Sequence, residues 1–236
     1  MRKKQKISKF DAKPDVKIVV PVYNEEKTIG KLLEKMKKLG WIKQIICVND
    51  GSQDKSAEII KKYPVTYLEH AINRGLGGAL RTGIEAGIIL NAKIIVTMDA
   101  DLQHKPEEIK QIIQPILEKK ADVVIGTRIQ DKKGMPLIRR IANIIGNLVT
   151  RVLFSINVSD SQSGFRAFSN KAAKKLVLKT NRMEISSEIV SQIKRQNLKL
   201  IEIPITAIYS NYSMSKGQGF KTGIKTMLKL MIARFK

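Results

Sequence analysis

The chain predicts an α/β domain with a mostly parallel central sheet covered by helices on both faces. Short, charge-poor, β-branched runs recur at residues 16–22, 44–48, 65–68, 94–98 and 123–126. Stretches with apolar residues at helical spacing separate them, and polar or glycine residues follow each run. Strand, helix, strand, repeated four times, makes right-handed parallel crossovers. Ligands in such a sheet bind outside the carboxyl ends of the strands.

Residues 1–15 contain Arg2, Lys3, Lys4, Lys6, Lys9 and Lys13 with few apolar groups, which predicts a basic N-terminal arm. The first strand follows at 16–22. Asn24 is placed to cap a helix reaching about residue 39, with Glu25 and Glu26 in its positive first turn. Ile29, Leu32, Leu33 and Met36 share one face of it, and Gly40 stops it. A strand at 44–48, a short helix at 56–62 and a strand at 65–68 come next. The helix at 76–90 carries Gly77, Gly78, Ala79, Gly83, Ala86 and Gly87, small enough to let it lie close on the sheet. Each interior glycine costs roughly 1 kcal/mol of helix propensity. The strand at 94–98 precedes a helix over 106–119 that Pro115 should kink, then a strand at 123–126. Glu184 and Glu188 sit four apart on a further helix, and residues 199–205 read as the last strand.

The 236 residues are 43% hydrophobic and 28% charged, ordinary for one globular catalytic domain. Forty-four Lys and Arg against twenty-one Asp and Glu leave a net charge of +23. Such a balance points to an anionic partner: nucleic acid, a membrane surface or a phosphorylated substrate. The basic residues are spread along the chain and aromatics are only 5%, a poor composition for base stacking, so no nucleic-acid partner is expected. Cys47 lies alone within an apolar strand, which excludes a disulfide framework and fits a reducing, cytoplasmic setting. No run reaches the ~18 to 20 apolar residues of a membrane span, and no apolar signal region follows the basic N-terminus.

The stretch IIVTMDADLQH, residues 94–104, concentrates the chemistry. If the backbone stays extended past Met98, Asp99, Asp101 and Gln103 project to one side of the strand end. Hard oxygen ligands of this kind suit Mg²⁺ or Mn²⁺, with positions left for water and a substrate's phosphates. The same letters also suit a polar loop ahead of a helix begun by Pro106, Glu107 and Glu108. Likewise Tyr23-Asn24-Glu25, Asn49-Asp50-Gly51-Ser52 and Asn73-Arg74-Gly75 are each ordinary turn residues taken singly. Four such clusters at one end of one sheet outline a site.

These motifs in this order resemble glycosyltransferase family 2, with its Rossmann-like GT-A fold, and within it the polyprenyl-phosphate glycosyltransferases. The resemblance runs over roughly residues 16–219. PVYNEE is similar to the family's donor-nucleotide loop, which implies donor binding by Pro21, Tyr23, Asn24 and Glu25. VNDGSQDKS is similar to its nucleotide-contacting segment, with Asp50 as the contact and Asn49 where an acid is usual. NRGLGGALRTGI resembles the glycine-rich donor segment and implies roles for Asn73 and Arg74. MDADLQH resembles the metal motif, implying Asp99, Asp101 and Gln103 as metal ligands, Asp99 as a donor contact and Asp101 as a catalytic residue. GTR at 126–128 and SGFRAF at 163–168 match as well, and Glu188 stands where the family has a supporting acid.

The resemblance implies inverting transfer of a hexose from a nucleotide-diphosphate sugar, GDP-mannose or a UDP-sugar, to dolichyl or polyprenyl phosphate. Such an acceptor is its own nucleophile, since a phosphate monoester with a second pKa of about 6 is largely dianionic at neutral pH. The enzyme must then supply cations to position it, and Arg128, Arg139 and Lys216 are the candidates. A helical stripe at 137–154, edged by Arg139, Arg140 and Arg151, and another at 220–235, edged by Lys221, Lys225 and Lys229, fit interfacial helices. Core-facing helices would carry similar stripes. The expected layout is a basic arm at 1–15, a GT-A catalytic domain at 16–216 and an amphipathic helix at 217–236. The expected location is cytoplasmic and peripheral, on the inner face of an anionic membrane. The competing expectations are a family 2 enzyme with a soluble glycan or protein acceptor, and a soluble nucleotidyltransferase. The latter calls for a glycine-rich basic loop after strand one, where this chain has Tyr23-Asn24-Glu25-Glu26.

Overall fold

A computed structural model describes residues 15–42, 44–128 and 158–208. The stripes at 137–154 and 220–235, the basic arm, Arg139 and Lys216 lie outside the described residues. Among those described, no helix is long and apolar enough to cross a membrane.

Seven strands form one sheet in the order β3-β2-β1-β4-β6-β5-β7. They are β1 (Val16–Val22), β2 (Gln44–Asn49), β3 (Thr66–Glu69), β4 (Ile94–Thr97), β5 (Val123–Thr127), β6 (Arg166–Ser169) and β7 (Leu200–Pro204). β1 pairs in parallel with both β2 and β4, β2 with β3, and β5 with β7. β6 is antiparallel to β4 and β5, between which it lies. Among the described residues six α-helices accompany the sheet: α1 (Ile29–Lys38), α2 (Ser56–Ile60), α3 (Leu76–Ile89), α4 (Ile109–Leu117), α5 (Asn170–Lys175) and α6 (Ile185–Arg195).

Strand residues alternate between two cores, one on each face of the sheet. Ile18, Val20, Cys47 and Val96 pack with Leu32 and Met36 of α1 and Ile112 and Ile113 of α4. Val19, Ile46, Val48 and Ile95 pack with Leu80 and Ile84 of α3 and Ile189 and Ile193 of α6. The glycines of α3 bring it close: a Cβ at Gly83 would collide with the Val19 side chain. The expected two-sided α/β sandwich is therefore present.

Three local expectations are corrected. α1 begins at Ile29, not at a cap formed by Asn24, which instead adopts φ 53° and accepts a hydrogen bond from the Gln53 amide at 2.8 Å. Asn24 is committed to a partner loop, and the helix starts a turn later. β4 ends at Thr97, and the chain turns through Ala100 and Asp101 to a left-handed Leu102 at φ 62°, so Asp99, Asp101 and Gln103 do not alternate along a strand. Finally, β6 and α5 were not anticipated. Arg166-Ala167-Phe168 is too short a run, interrupted by a cation, to declare itself a strand.

Pro21 shows how β1 opens the site. Val19 O accepts from Met98 N, so Val19 faces β4, and Pro21 faces the same way two residues on. By then β4 has ended, and a residue without an N–H forfeits no ladder bond. β1 and β4 are also where successive crossovers diverge, to β2 on one side and away from it on the other, leaving a crevice at their carboxyl ends.

Candidate active site

The loops after β1 and β2 interlock. Asn24 N donates to Ser52 Oγ at 3.0 Å, Glu25 N to Ser56 Oγ at 2.7 Å and Glu26 N to Asp54 Oδ2 at 3.0 Å. Glu25 is buried, and its carboxylate accepts from Thr28 Oγ1 at 2.6 Å. Asp50, 2% exposed, accepts from the backbone amides of Arg74 at 2.9 Å and Gly75 at 2.7 Å, and its Oδ1 lies 2.7 Å from His70 Nδ1. It thereby staples the segment before α3 to the end of β2. A groove of about 380 Å³ opens above these loops, lined by Tyr23, Gly51, Ser52, Glu69, His70 and Asn73 among others. Tyr23 and Asn73 meet there as expected of donor-binding residues, and Arg74 is exposed beside them.

Asn49 occupies a telling position at the end of β2. Fully buried, its Nδ2 donates to Glu69 Oε1 at 2.9 Å and Tyr67 Oη at 3.1 Å. An acid at position 49 would repel Glu69, whereas the amide tethers it.

Next to this groove lies the acidic turn. Asp101 Oδ1 accepts from Gln103 N at 2.9 Å, closing the turn on itself. Gln103 O in turn accepts from Ile208 N at 2.9 Å, and Glu108 accepts from Thr206 N and Oγ1, so the chain after β7 braces the loop. Burial raises the Asp101 pKa to about 6, reinforced by the charge of Asp99, with Glu25 adding to it. Burial acts on Asp99 in the same direction, but His104, Arg128 and Arg166 outweigh it and hold Asp99 below the usual carboxylate range.

The cations arrive through β6. Because that strand runs antiparallel, its first residue lies at the carboxyl end of β4, with Arg166 opposite Thr97. Gly164, two residues earlier, lies directly against the Asp99 carboxylate, where a Cβ would collide with both oxygens. Arg166 is 1% exposed and donates through Nη2 to Ser161 O at 3.0 Å. Burial lowers its pKa to about 10, opposed by Asp99 and Asp160. Arg128, just past β5, reaches Asp160 through Nε at 2.7 Å and Nη2 at 2.8 Å. Glu202 secures this segment by accepting from Ser159 N and Oγ at 2.8 Å each.

Glu188 on α6 accepts from Lys179 N, Thr180 N and Thr180 Oγ1 at 2.7 to 2.9 Å. The loop it holds presents Asn181 O to Gly78 N at 3.1 Å, so the Glu188 carboxylate acts on the glycine-rich segment through that loop. Thus the structure brings Asp99 into electrostatic reach of Asp101, Arg128 and Arg166, and gathers Tyr23 and Asn73 on the adjoining groove. It engages Asp50 and Glu188 in loop construction.

A divalent ion fits the acidic turn. Asp101 lies beside the charge of Asp99 at the same turn, and the buried His104 next to Asp99 has no hydrogen-bond partner for either ring nitrogen among the described residues. No cluster of three His, Cys, Asp or Glu side chains with metal-site geometry exists among the described residues. Two carboxylates and an amide, completed by water and phosphate oxygens, are what Mg²⁺ or Mn²⁺ accepts. Sequence reasoning overlooked Asp160 and His104. The former was recognisable as a lone acid near SGFRAF, whereas the burial of His104 has no sequence signature.

Residues 17–177 match the family model for glycosyl transferase family 2. An uncharacterized protein of Methanocaldococcus jannaschii is 47% identical over 227 residues, covering 94% of this chain and 93% of its own. The UDP-N-acetylglucosamine--dolichyl-phosphate N-acetylglucosaminyltransferase of Methanococcus voltae is 35% identical, covering 92% of this chain and 95% of its own. Among solved structures, the glucosyl-3-phosphoglycerate synthase of Mycobacterium tuberculosis, in complex with Mn²⁺, UDP and glucosyl-3-phosphoglycerate, superposes with a TM-score of 0.74 at 16% identity. That alignment covers 94% of this chain and 80% of the other, and establishes the shared fold.

Proposed function

The chain belongs to glycosyl transferase family 2, and on that premise we propose that it transfers a hexose from a nucleotide-diphosphate sugar to dolichyl or polyprenyl phosphate with inversion at the anomeric carbon. The observation that carries this reading is the division of charge at the crevice. Asp99, beside Asp101 in the acidic turn, lies within electrostatic reach of Arg128 and Arg166, which stand just past β5 and at the start of β6, the neighbour of β4. A reaction in which one phosphorylated group leaves while another attacks needs both poles. The Methanococcus voltae relative, whose name specifies a dolichyl-phosphate acceptor, supports the lipid assignment.

In this mechanism Asp99, Asp101 and Gln103 would hold Mg²⁺ or Mn²⁺, which would supply compensation for negative charge on the nucleotide diphosphate. Pro21, Tyr23, Asn24, Glu25, Asn73 and Arg74 shape the donor groove, while Asp50 fixes Arg74 and Gly75 from below. Arg128, oriented by its fork on Asp160, positions the acceptor phosphate behind the anomeric carbon and offsets its repulsion from the donor. No general base is required, because the acceptor is already an anion at neutral pH. Glu188 supports the donor segment by holding residues 179–180. Arg139 and Lys216 extend the acceptor site in this reading, and the stripes at 137–154 and 220–235 dock the enzyme on the cytoplasmic face of an anionic membrane.

Replacing Arg128 tests the assignment. Arg128→Ala should raise KM for polyprenyl phosphate, or lower turnover, far more than it changes nucleotide-sugar binding, and the product should carry the inverted anomer. Unaltered acceptor kinetics, or retained configuration, would exclude this mechanism.

A further inference from the structure

His104 has no part in the chemistry above, yet it is more completely enclosed than any ligand candidate. Its side chain is 1% exposed and leans on the Phe165 ring, with centroids 5.3 Å apart and planes inclined at 37°. Neither Nδ1 nor Nε2 has a hydrogen-bond partner among the described residues. A buried polar group left unpaired is costly, and native structures rarely retain one without a use. Nε2 stands 3.6 Å from Asp99 Oδ2, somewhat beyond hydrogen-bond length. The backbone holds the ring there, with Gln103 O fixed by Ile208 N before it and the helical turn begun by Pro106 after it. Gly164 closes the other side of Asp99, so the carboxylate is confined between an imidazole and a backbone that tolerates no side chain.

We propose that His104 is a positioning residue for the divalent-ion site: its Nε2–H engages Asp99 Oδ2 and orients the carboxylate, leaving the other oxygen to the cation. Carboxylate ligands are commonly held in this way by a hydrogen bond from behind, and loss of such a partner weakens metal binding about 10- to 100-fold. Phe165 supplies the platform that sets the ring plane. The imidazole is also within electrostatic reach of Asp101 and Asp160, in keeping with a place behind the whole acidic turn. This inference rests on the metal-dependent reading of Asp99 and Asp101.

The test is Mn²⁺ affinity of the full chain without donor or acceptor, measured from free-ion electron paramagnetic resonance, with thermal melts recorded in parallel. Wild type, H104F, H104Q and D101N are compared. H104F keeps the contact with Phe165 but has no donor, and should bind Mn²⁺ about tenfold more weakly at an unchanged melting temperature. H104Q places an N–H at similar reach and should stay close to wild type. Should H104F fail to fold, H104M replaces it, with the same loss expected. Wild-type affinity in H104F or H104M, or an equal loss in H104Q, would overturn the role given to His104. Wild-type protein that binds Mn²⁺ no better than D101N would overturn the metal reading itself, and this inference with it.

Discussion

Arg128 closes a two-point fork on Asp160, Nε to Oδ2 at 2.7 Å and Nη2 to Oδ1 at 2.8 Å, while the Arg128 amide adds a third bond to Oδ2 at 3.1 Å. Side-chain exposures of 13% and 1% put the pair largely out of water. Burial pushes the Asp160 pKa up, but Arg128 outweighs it and holds the group below the ordinary carboxylate range. A depressed folded-state pKa contributes stability that is present above the unfolded value and lost as pH falls through the folded one.

Removing both partners of this pair should therefore cost less than the two single removals added together. Asp160→Ala removes the forked carboxylate from a largely buried guanidinium and should destabilise by about 3 to 5 kcal/mol. The double variant with Arg128→Ala should be less destabilised than the two single losses added together. Urea melts at pH 7 measure the cycle, and strict additivity would show the fork to be energetically idle.

Asp101 gives a pH signature of opposite sign. Its folded pKa, about 6, lies above the ordinary 3.8. The contribution of its proton to stability is thus fully present below about pH 4 and lost as pH rises through about 6, by up to about 3 kcal/mol. Chelator-treated Asp101→Asn should melt above wild type at pH 7.5, by about half as much at pH 5, and close to it near pH 4. Added Mn²⁺ should narrow the gap at pH 7.5 by stabilising wild type alone. Parallel melting temperatures for the two proteins across this range would contradict the assignment.

Gly164 is tested by its smallest replacement. A methyl group at 164 would displace the Asp99 carboxylate, and misplacement of a reacting group by about 1 Å can cost 10²-fold in rate. Gly164→Ala should accordingly lose about 10²-fold in turnover while its circular dichroism stays native. An active Gly164→Ala enzyme would separate Asp99 from the chemistry.

Much of this architecture was legible in the sequence because most strands are apolar, β-branched and punctuated. Ile94 to Met98 announced a buried strand, and Gly83 and Gly87 announced a helix pressed on the sheet. The family motifs located Asp99, Asp101 and Arg128. β6 was hidden because Arg166 breaks its apolar run, and the groups that meet its charge, Ser161 O, Asp99 and Asp160, are brought together only by the fold. The structural tasks of Asp50 and Glu188 were equally hidden, since a carboxylate that accepts backbone N–H groups has the same letter as one that faces a substrate. Asn24 misled because a residue suited to capping is also suited to a left-handed turn.

Cys47 offers a check on the sheet interior. Burial pushes its thiol pKa up to about 12, and the reactive thiolate is correspondingly scarce. Its reaction with a thiol reagent at pH 8 should follow global unfolding and accelerate only in denaturant. Rapid labelling of the native protein would indicate that β2 opens locally.

The central claim, metal-assisted sugar transfer to a lipid phosphate, is tested most directly by one assay. Purified protein is given a panel of UDP- and GDP-sugars with detergent-dispersed polyprenyl phosphate, with Mn²⁺ or with chelator, alongside Asp101→Asn. The account predicts a lipid-linked monosaccharide of inverted configuration from at least one donor, abolished by chelator and reduced by orders of magnitude in Asp101→Asn. Product formed equally well in chelator, or sugar transferred only to a soluble acceptor while polyprenyl phosphate stays unmodified, would contradict it.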